Sequence, residues 1–348
     1  MADTVLEPFR AATALRTEGR RAALLIGIGV VVLCVLPLVA TLIGEPFYIR
    51  LATRIMIIAI AAMSLDLLIG FGGMVSLGHA AFIGVGAYVT GILSYHAANQ
   101  EPLFTWPFLF MGSDNAFLAW PLAILCAALA ALLIGIVSLR ASGVYFIMIT
   151  LAFAQMLYYL FIALQKYGGE DGLQLAARSS FGPLDLDDRL TFYYLVLAVL
   201  VICGYAARRL VRSRFGMLVR GAMQNERRML AVGFPVLRYK LAAFVIAGAM
   251  AGLAGVLLAN NQTFVSPADM AWTRSGELII MVVLGGVGTL YGPMLGAAVY
   301  VLLELVLGSY TIYWQAIFGP VLILFVLFMP GGLFRALTGA NPQGGGPG

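Results

Sequence analysis

The chain has 348 residues, of which 62% are hydrophobic and 11% charged, with a mean hydropathy of +0.97. Soluble domains average about 45–50% apolar and ~25% charged residues, so this composition reads as an integral membrane protein. Its continuous apolar runs exclude a β-barrel, whose strands alternate apolar and polar positions. The net charge of +5 and pI near 9.2 do not indicate a nucleic-acid partner, because the basic residues flank apolar runs, where they set membrane topology.

A polar segment, residues 1–21, carries Arg10, Arg16, Arg20 and Arg21 ahead of an apolar run from Ala22 to Gly44. That run exceeds the core of a cleavable signal and is expected to be a retained first span with its basic flank in the cytoplasm. A second run, Ile55 to Gly70, ends in the glycine-rich GFGGMVSLGHAAFIGVGAY, which leads into helix-compatible residues up to about Tyr95. The segment from His96 to Asn115 has no Lys or Arg and belongs outside.

Phe117 to Leu139 and Val144 to Leu164 read as the next two spans, joined at Arg140. An outer loop, residues 165–190, follows, with Glu170, Asp171, Asp185, Asp187 and Asp188 outnumbering Lys166, Arg178 and Arg189. Thr191 to Ala207 crosses inward to the stretch 208–240, which holds nine of the 21 Lys and Arg. Leu241 to Ala259 crosses out, Asn260 to Arg274 lies outside, and Glu277 to Gly288, Met294 to Leu307 and Ile312 to Phe328 complete the spans. The expectation is an all-α polytopic protein with about ten transmembrane helices, a permease domain over 22–335 and both ends cytoplasmic. Residues 336–348 form a glycine-rich tail of disordered composition.

Within 208–240, Val219, Met223, Glu226 and Leu230 fall at helical spacing, with Arg220, Gln224, Arg227 and Arg228 on the other side. This predicts one amphipathic helix of about four turns, ended by Gly233 and Pro235. Such a helix can lie on anionic lipid headgroups or dock into a groove of a soluble partner.

Gly72-Gly73-x-x-Ser76-Leu77 is echoed as Gly285-Gly286-x-x-Thr289-Leu290. Repeats and glycine-interrupted spans can serve tight helix packing or line a substrate route. The expected translocation path therefore includes Asp66, Gly72, Gly73, Ser76, His79, Gly285, Gly286 and Thr289.

Asp66, Glu277 and Glu304 are the acids within or at the edge of spans, where charge faces a helix interface or a wet cavity. Glu277, after Ser275 and Gly276, fits the first turn of a helix. Cys34, Cys126 and Cys203 lie in apolar runs as packing residues, and His79 and His96 are too scattered for a metal site. No cofactor, metal or catalytic constellation is expected. No G-x-x-x-x-G-K-[ST] occurs, so any ATP would have to be bound by another subunit.

Three blocks carry a specific resemblance: SLDLLIGFGGMVSLGHAAFIGVGAY (Ser64 to Tyr88), RYKLAAFVIAGAMAGLAGVLLA (Arg238 to Ala259) and FVSPADMAWTRSGELIIMVVLGGVGTLYGPMLGAA (Phe264 to Ala298). The chain resembles the permease subunits of bacterial ABC importers for branched-chain amino acids, specifically the longer of the two that usually pair. The resemblance implies a cytoplasmic coupling helix that inserts into the ATPase subunit, with a family pattern similar to G-R-x-x-x-A-I-R-E-N-E. Gly216, Asn225, Glu226 and Gly233-Phe234 fit that pattern, whereas Met223 and Gln224 stand where an Arg and an acid are common. The implied coupling residues are Val219, Met223, Asn225, Glu226, Arg227, Leu230 and Gly233.

Tyr167-Gly168-Gly169-Glu170-Asp171-Gly172-Leu173 resembles the family's outer T-G-G-x-[ND]-G-L, on the side that receives the substrate-binding protein. The partners implied are a second permease, two ATPases, an extracytoplasmic binding protein and the lipid of a bacterial inner membrane. The alternative is a stand-alone secondary transporter or channel driven by an ion gradient, with Asp66 and Glu304 in its coupling path.

Overall fold

A computed structural model describes residues 24–25, 27–102, 112–182, 186–329 and 331–338; the N-terminal segment 1–21 and the tail from residue 339 lie outside the described residues. Its long helices follow the apolar runs: α1 (Gly27–Ile43), α2 (Pro46–Ile69), α3 (His79–Asn99), α4 (Ala116–Ser138), α5 (Val144–Ala163) and α6 (Arg189–Arg212). After the short α7 (Arg214–Gln224) and α8 (Glu226–Ala231) come α9 (Val236–Gln262), α10 (Trp272–Gly285), α11 (Gly292–Tyr310), α12 (Trp314–Phe328) and α13 (Gly332–Thr338). One two-residue antiparallel pair, β1 (Leu173–Gln174) with β2 (Phe264–Val265), is the only sheet among the described residues.

Seven helices, α2 to α6, α9 and α11, are long and apolar enough to cross a membrane, and the bent α12–α13 pair would make eight. The protein is thus an all-α, multi-pass membrane protein. The ten runs expected from the sequence each contain a helix, but α1, α10 and α12 have 17 or fewer residues. At 1.5 Å per residue the 14-residue α10 covers about 21 Å, short of a hydrocarbon core of about 30 Å.

Small side chains decide the packing of the core. Ala119, Ala123, Ala127, Ala131 and Gly135 recur every fourth residue along α4 and, Gly135 included, are buried. They face a matching stripe on α9, where Ala131 lies against Gly248 and Ala127 against Gly252. Close backbone approach of this kind drives helix association where lipid offers no hydrophobic gradient. On its other side α9 meets α3, whose Ile83 carbonyl lies against Gly255. By contrast, α5 buries only Phe146, Thr150 and Ala154, one stripe four residues apart, and leaves the rest of its apolar surface outward.

Two segments re-enter the bundle. After α2 the chain turns at residues 70–73, then runs back until Gly78 packs on the Thr150 carbonyl, six residues into α5, where α3 begins. The chain after α9 likewise passes β2 and packs Met270 against Gly84 before α10 starts. Ser275 Oγ accepts a hydrogen bond from the Ala80 N–H (2.9 Å), joining the first turns of α10 and α3 inside the protein.

Candidate functional site

The basic stretch is not one loop. Arg208, Arg209 and Arg212 continue α6 to its end, and Arg238 and Lys240 lie in the first turns of α9. The expected four-turn helix is two helices, because Asn225 breaks it with φ −156° and ψ 95°. Its Oδ1 accepts from the Arg228 N–H (2.9 Å), so the short amide that ends α7 also caps α8. Gly233, at φ +89°, terminates α8. Its N–H reaches the Leu230 carbonyl, and that of Phe234 reaches Met229.

The break also divides the expected apolar face. Val219 and Ala222 are buried, whereas Met223, Asn225, Glu226, Arg227, Leu230 and Gly233 are exposed. Lys240 Nζ donates to Glu226 Oε2 at 2.6 Å, tying α8 to the start of α9. Exposed Met217, Met223, Leu230 and Val232 leave an apolar surface on this helix pair.

The glycine turns meet this end of the molecule. Gly73, at φ +65°, lies under Met223, whose Cγ would be 2.9 Å from a Cβ at that position. The echoed Gly286 is also in positive φ, at +112°. Asp66, fully buried, accepts hydrogen bonds from the Gly288 (2.8 Å) and Leu290 (3.3 Å) N–H groups. The end of α2 therefore caps the turn between α10 and α11, and Gly70 has no room for a side chain against Gly288. Arg335 of α13 reaches the Val287 carbonyl from the other side.

Thr289 Oγ1 donates to the Gly286 carbonyl (2.6 Å) and accepts from the Gly292 N–H (3.1 Å), closing that turn. Gly72 abuts the Leu68 carbonyl, and Gly285 abuts Gly292. Ser76 Oγ accepts from the Gly78 N–H (3.2 Å), and His79 Nε2 pairs with Ser64 Oγ (2.8 Å). These residues thus form turns and helix ends.

A cavity with a volume of about 50 Å³ sits between α2, α3, α9 and α10. It lies beside Arg54 to Ala61, the middle third of α2, about 12 Å from either end at 1.5 Å per residue. Arg54, Asp269, Arg274 and Glu277 line it. Arg54 Nη2 donates to both oxygens of Glu304 on α11 at 3.0 Å. Arg274 pairs with Glu277 at 2.7 Å and with Asp269 at 3.6 Å.

Glu277 is in the second turn of α10, not its first, and both it and Glu304 are partnered by arginines. Sequence reading noted two of these acids and missed the cluster. The available signal was Arg54 itself, a guanidinium one residue before the second apolar run.

At the opposite end from α7 and α8, the loop after α5 is fastened down. β1 pairs with β2, and the Ser179 N–H donates to Asn260 Oδ1 at 2.8 Å. Tyr167 hydroxyl and His96 Nε2 are 3.0 Å apart, and Lys166 pairs with Glu101 at 2.9 Å. The hydrogen bond and charge of Lys166 hold the Glu101 carboxyl below its ordinary range.

Residues 47–328 match the family described as the branched-chain amino acid transport system permease component. The chain belongs to this family. It is 29% identical over 307 residues to the high-affinity branched-chain amino acid transport system permease protein LivM of Salmonella typhimurium, covering 81% of this chain and 69% of that protein. LivM of Escherichia coli matches over the same extent. LivH of Escherichia coli, a permease protein of the same named system, is 30% identical over 35% of this chain and 40% of its own length. The L-arabinose ABC transporter permease AraH of Azospirillum brasilense is 31% identical over 37% of the chain and 39% of its own length. No solved structure matches. The match to LivM covers more of this chain than the match to LivH does.

Proposed function

We propose that this permease is one half of a heterodimeric ABC importer for branched-chain or related amino acids in a bacterial inner membrane. It has ten crossings, both termini in the cytoplasm, and α7 and α8 on the cytoplasmic face. Substrate arrives on an extracytoplasmic binding protein at the β1/β2 end, crosses between this chain and a second permease, and enters as two ATPases close and reopen. The observation that carries this reading is the exposed α7–α8 pair, whose Met223 rests on Gly73 of the turn between α2 and α3. A partner groove that grips Met223 and Leu230 would pull directly on that turn.

Two states of the bundle biased by ATP binding are enough for alternating access. In this scheme Val219 anchors α7 to the bundle, Asn225 fixes the angle between the two helices, and Glu226, Arg227 and Leu230 face the ATPase. Gly233 ends the docking element. Asp66 then links the α2–α3 turn region to the α10–α11 turn through Gly288, so both glycine turns respond together.

The test is co-purification with the second permease and the ATPases, followed by liposome uptake of labelled leucine in the presence of the binding protein. Uptake is expected to require ATP and to vanish when the ATPase phosphate-binding lysine is replaced. Uptake by this chain alone, driven by a sodium or proton gradient, would instead establish the secondary-transporter reading.

A further inference from the structure

The charged cavity at the middle of α2 has a chemistry that the two glycine turns lack. Arg54 and Arg274 present guanidiniums to it, and Asp269 and Glu277 present carboxylates. Counting Glu304, two cations stand against three anions. Ionisable groups at mid-depth are costly and are retained facing interfaces or wet cavities.

The Arg54 and Arg274 side chains are 33% and 39% exposed, and the cavity they line is open on one side. The opposite wall is aliphatic: Ile57, Ile58, Ile83 and Leu278. A cavity of about 50 Å³ has room for small polar groups, since about 10–15 Å³ is enough to admit one water.

We infer that this cavity is a binding site for the zwitterionic head of an aliphatic α-amino acid on its way through the permease, with Arg54 and Arg274 receiving the carboxylate and Glu277 and Asp269 the ammonium. The aliphatic wall takes the start of the side chain. Bidentate guanidinium–carboxylate contacts would give orientation as well as affinity. Because Glu304 holds Arg54 from α11 and Glu277 holds Arg274 within α10, an arriving head group exchanges partners with these pairs. Occupancy therefore biases the packing of α10 and α11 against α2. This inference rests on the proposed import of amino acids, and it assigns a site within that route.

The test uses the permease pair with its ATPases in lipid nanodiscs, without the binding protein. Displacement of labelled leucine is measured with leucine, with 3-methylbutan-1-amine, which lacks the carboxylate, and with 4-methylpentanoate, which lacks the ammonium. The wild type is expected to bind leucine at least tenfold more tightly than either analogue. Glu277→Gln should weaken leucine at least tenfold while leaving 4-methylpentanoate within about twofold. The double variant Arg54→Gln/Glu304→Gln, which removes a pair without changing net charge, should weaken leucine but leave 3-methylbutan-1-amine within twofold.

Equal loss of all three ligands in both variants would mean the cluster only holds helices together. Failure of the wild type to bind leucine, while the complete system with binding protein and ATP imports it, would overturn the site and leave the permease reading intact. Absence of import by the complete system would sink both.

Discussion

Asp66 is the side chain whose removal should be felt most widely. Its carboxylate satisfies the N–H groups of Gly288 and Leu290, 222 and 224 residues away, and Leu290 itself holds the unusual φ of +59°. Asp66→Ala would leave two interior N–H groups without an acceptor, at about 2–3 kcal/mol. Asp66→Asn keeps one acceptor and should lose about half of that. Thermal unfolding in detergent checks the order, and equal midpoints for wild type and alanine variant would show that water replaces the carboxylate.

Gly73 makes a sharper steric prediction, since its φ of +65° disfavours a side chain and Met223 occupies the space above it. Gly73→Leu should reduce uptake at least tenfold. Adding Met223→Ala should recover part of that loss if the contact with α7 is the cause, a coupling that a double-mutant cycle reads directly.

At the scale of elements, the split between α7 and α8 gives Asn225 a defined task. Asn225→Ala removes the cap of α8, worth about 1 kcal/mol, and allows α7 to continue through it. Leu230 would then rotate away from its present direction. Hydrolysis by the ATPases should persist while uptake per ATP falls several-fold, and an unchanged ratio would show that the angle between the helices is irrelevant.

Glu226→Lys is expected to uncouple in the same sense, but it also sets two cations together, because Lys240 is 2.6 Å away. With Glu226 about half exposed, that pair contributes little to stability. Glu226→Lys/Lys240→Glu restores the pair, so continued uncoupling in the double variant would assign Glu226 to the ATPase contact and recovery would assign it to the α8–α9 tie.

For the whole molecule, the helix pair α7–α8, both glycine turns and α13 gather at one end, while β1, β2 and the outer loop occupy the other. In a variant with Cys34, Cys126 and Cys203 replaced, Arg227→Cys should be labelled only from the cytoplasmic side. Gln174→Cys should be labelled only from outside. Labelling of both from one side would reverse or fold back the proposed topology.

Much of this arrangement was legible in the chain. Apolar runs located every long helix, because a segment without polar side chains can satisfy its backbone in lipid only by helical hydrogen bonding. The small-residue stripes that pack α4 on α9 were not read from the chain, because only the fold shows which face of each helix meets its neighbour. The glycine echo pointed to two turns that share a positive-φ second glycine. Periodicity alone extended one amphipathic helix across Asn225, since spacing counts residues and does not register a side chain that caps a new helix.

Sequence by itself determined the class, the long helices and the family, all of which depend on local composition or on motifs within one segment. Only the tertiary structure decided which charges meet. Arg54 and Glu304 are 250 residues apart, and Asp66 reaches Gly288 across 222. Partners that distant are chosen by helix packing, and no local pattern encodes them. The same packing starts α10 inside the bundle and so creates a charged cavity at mid-height, where reading along the chain had seen only isolated acids.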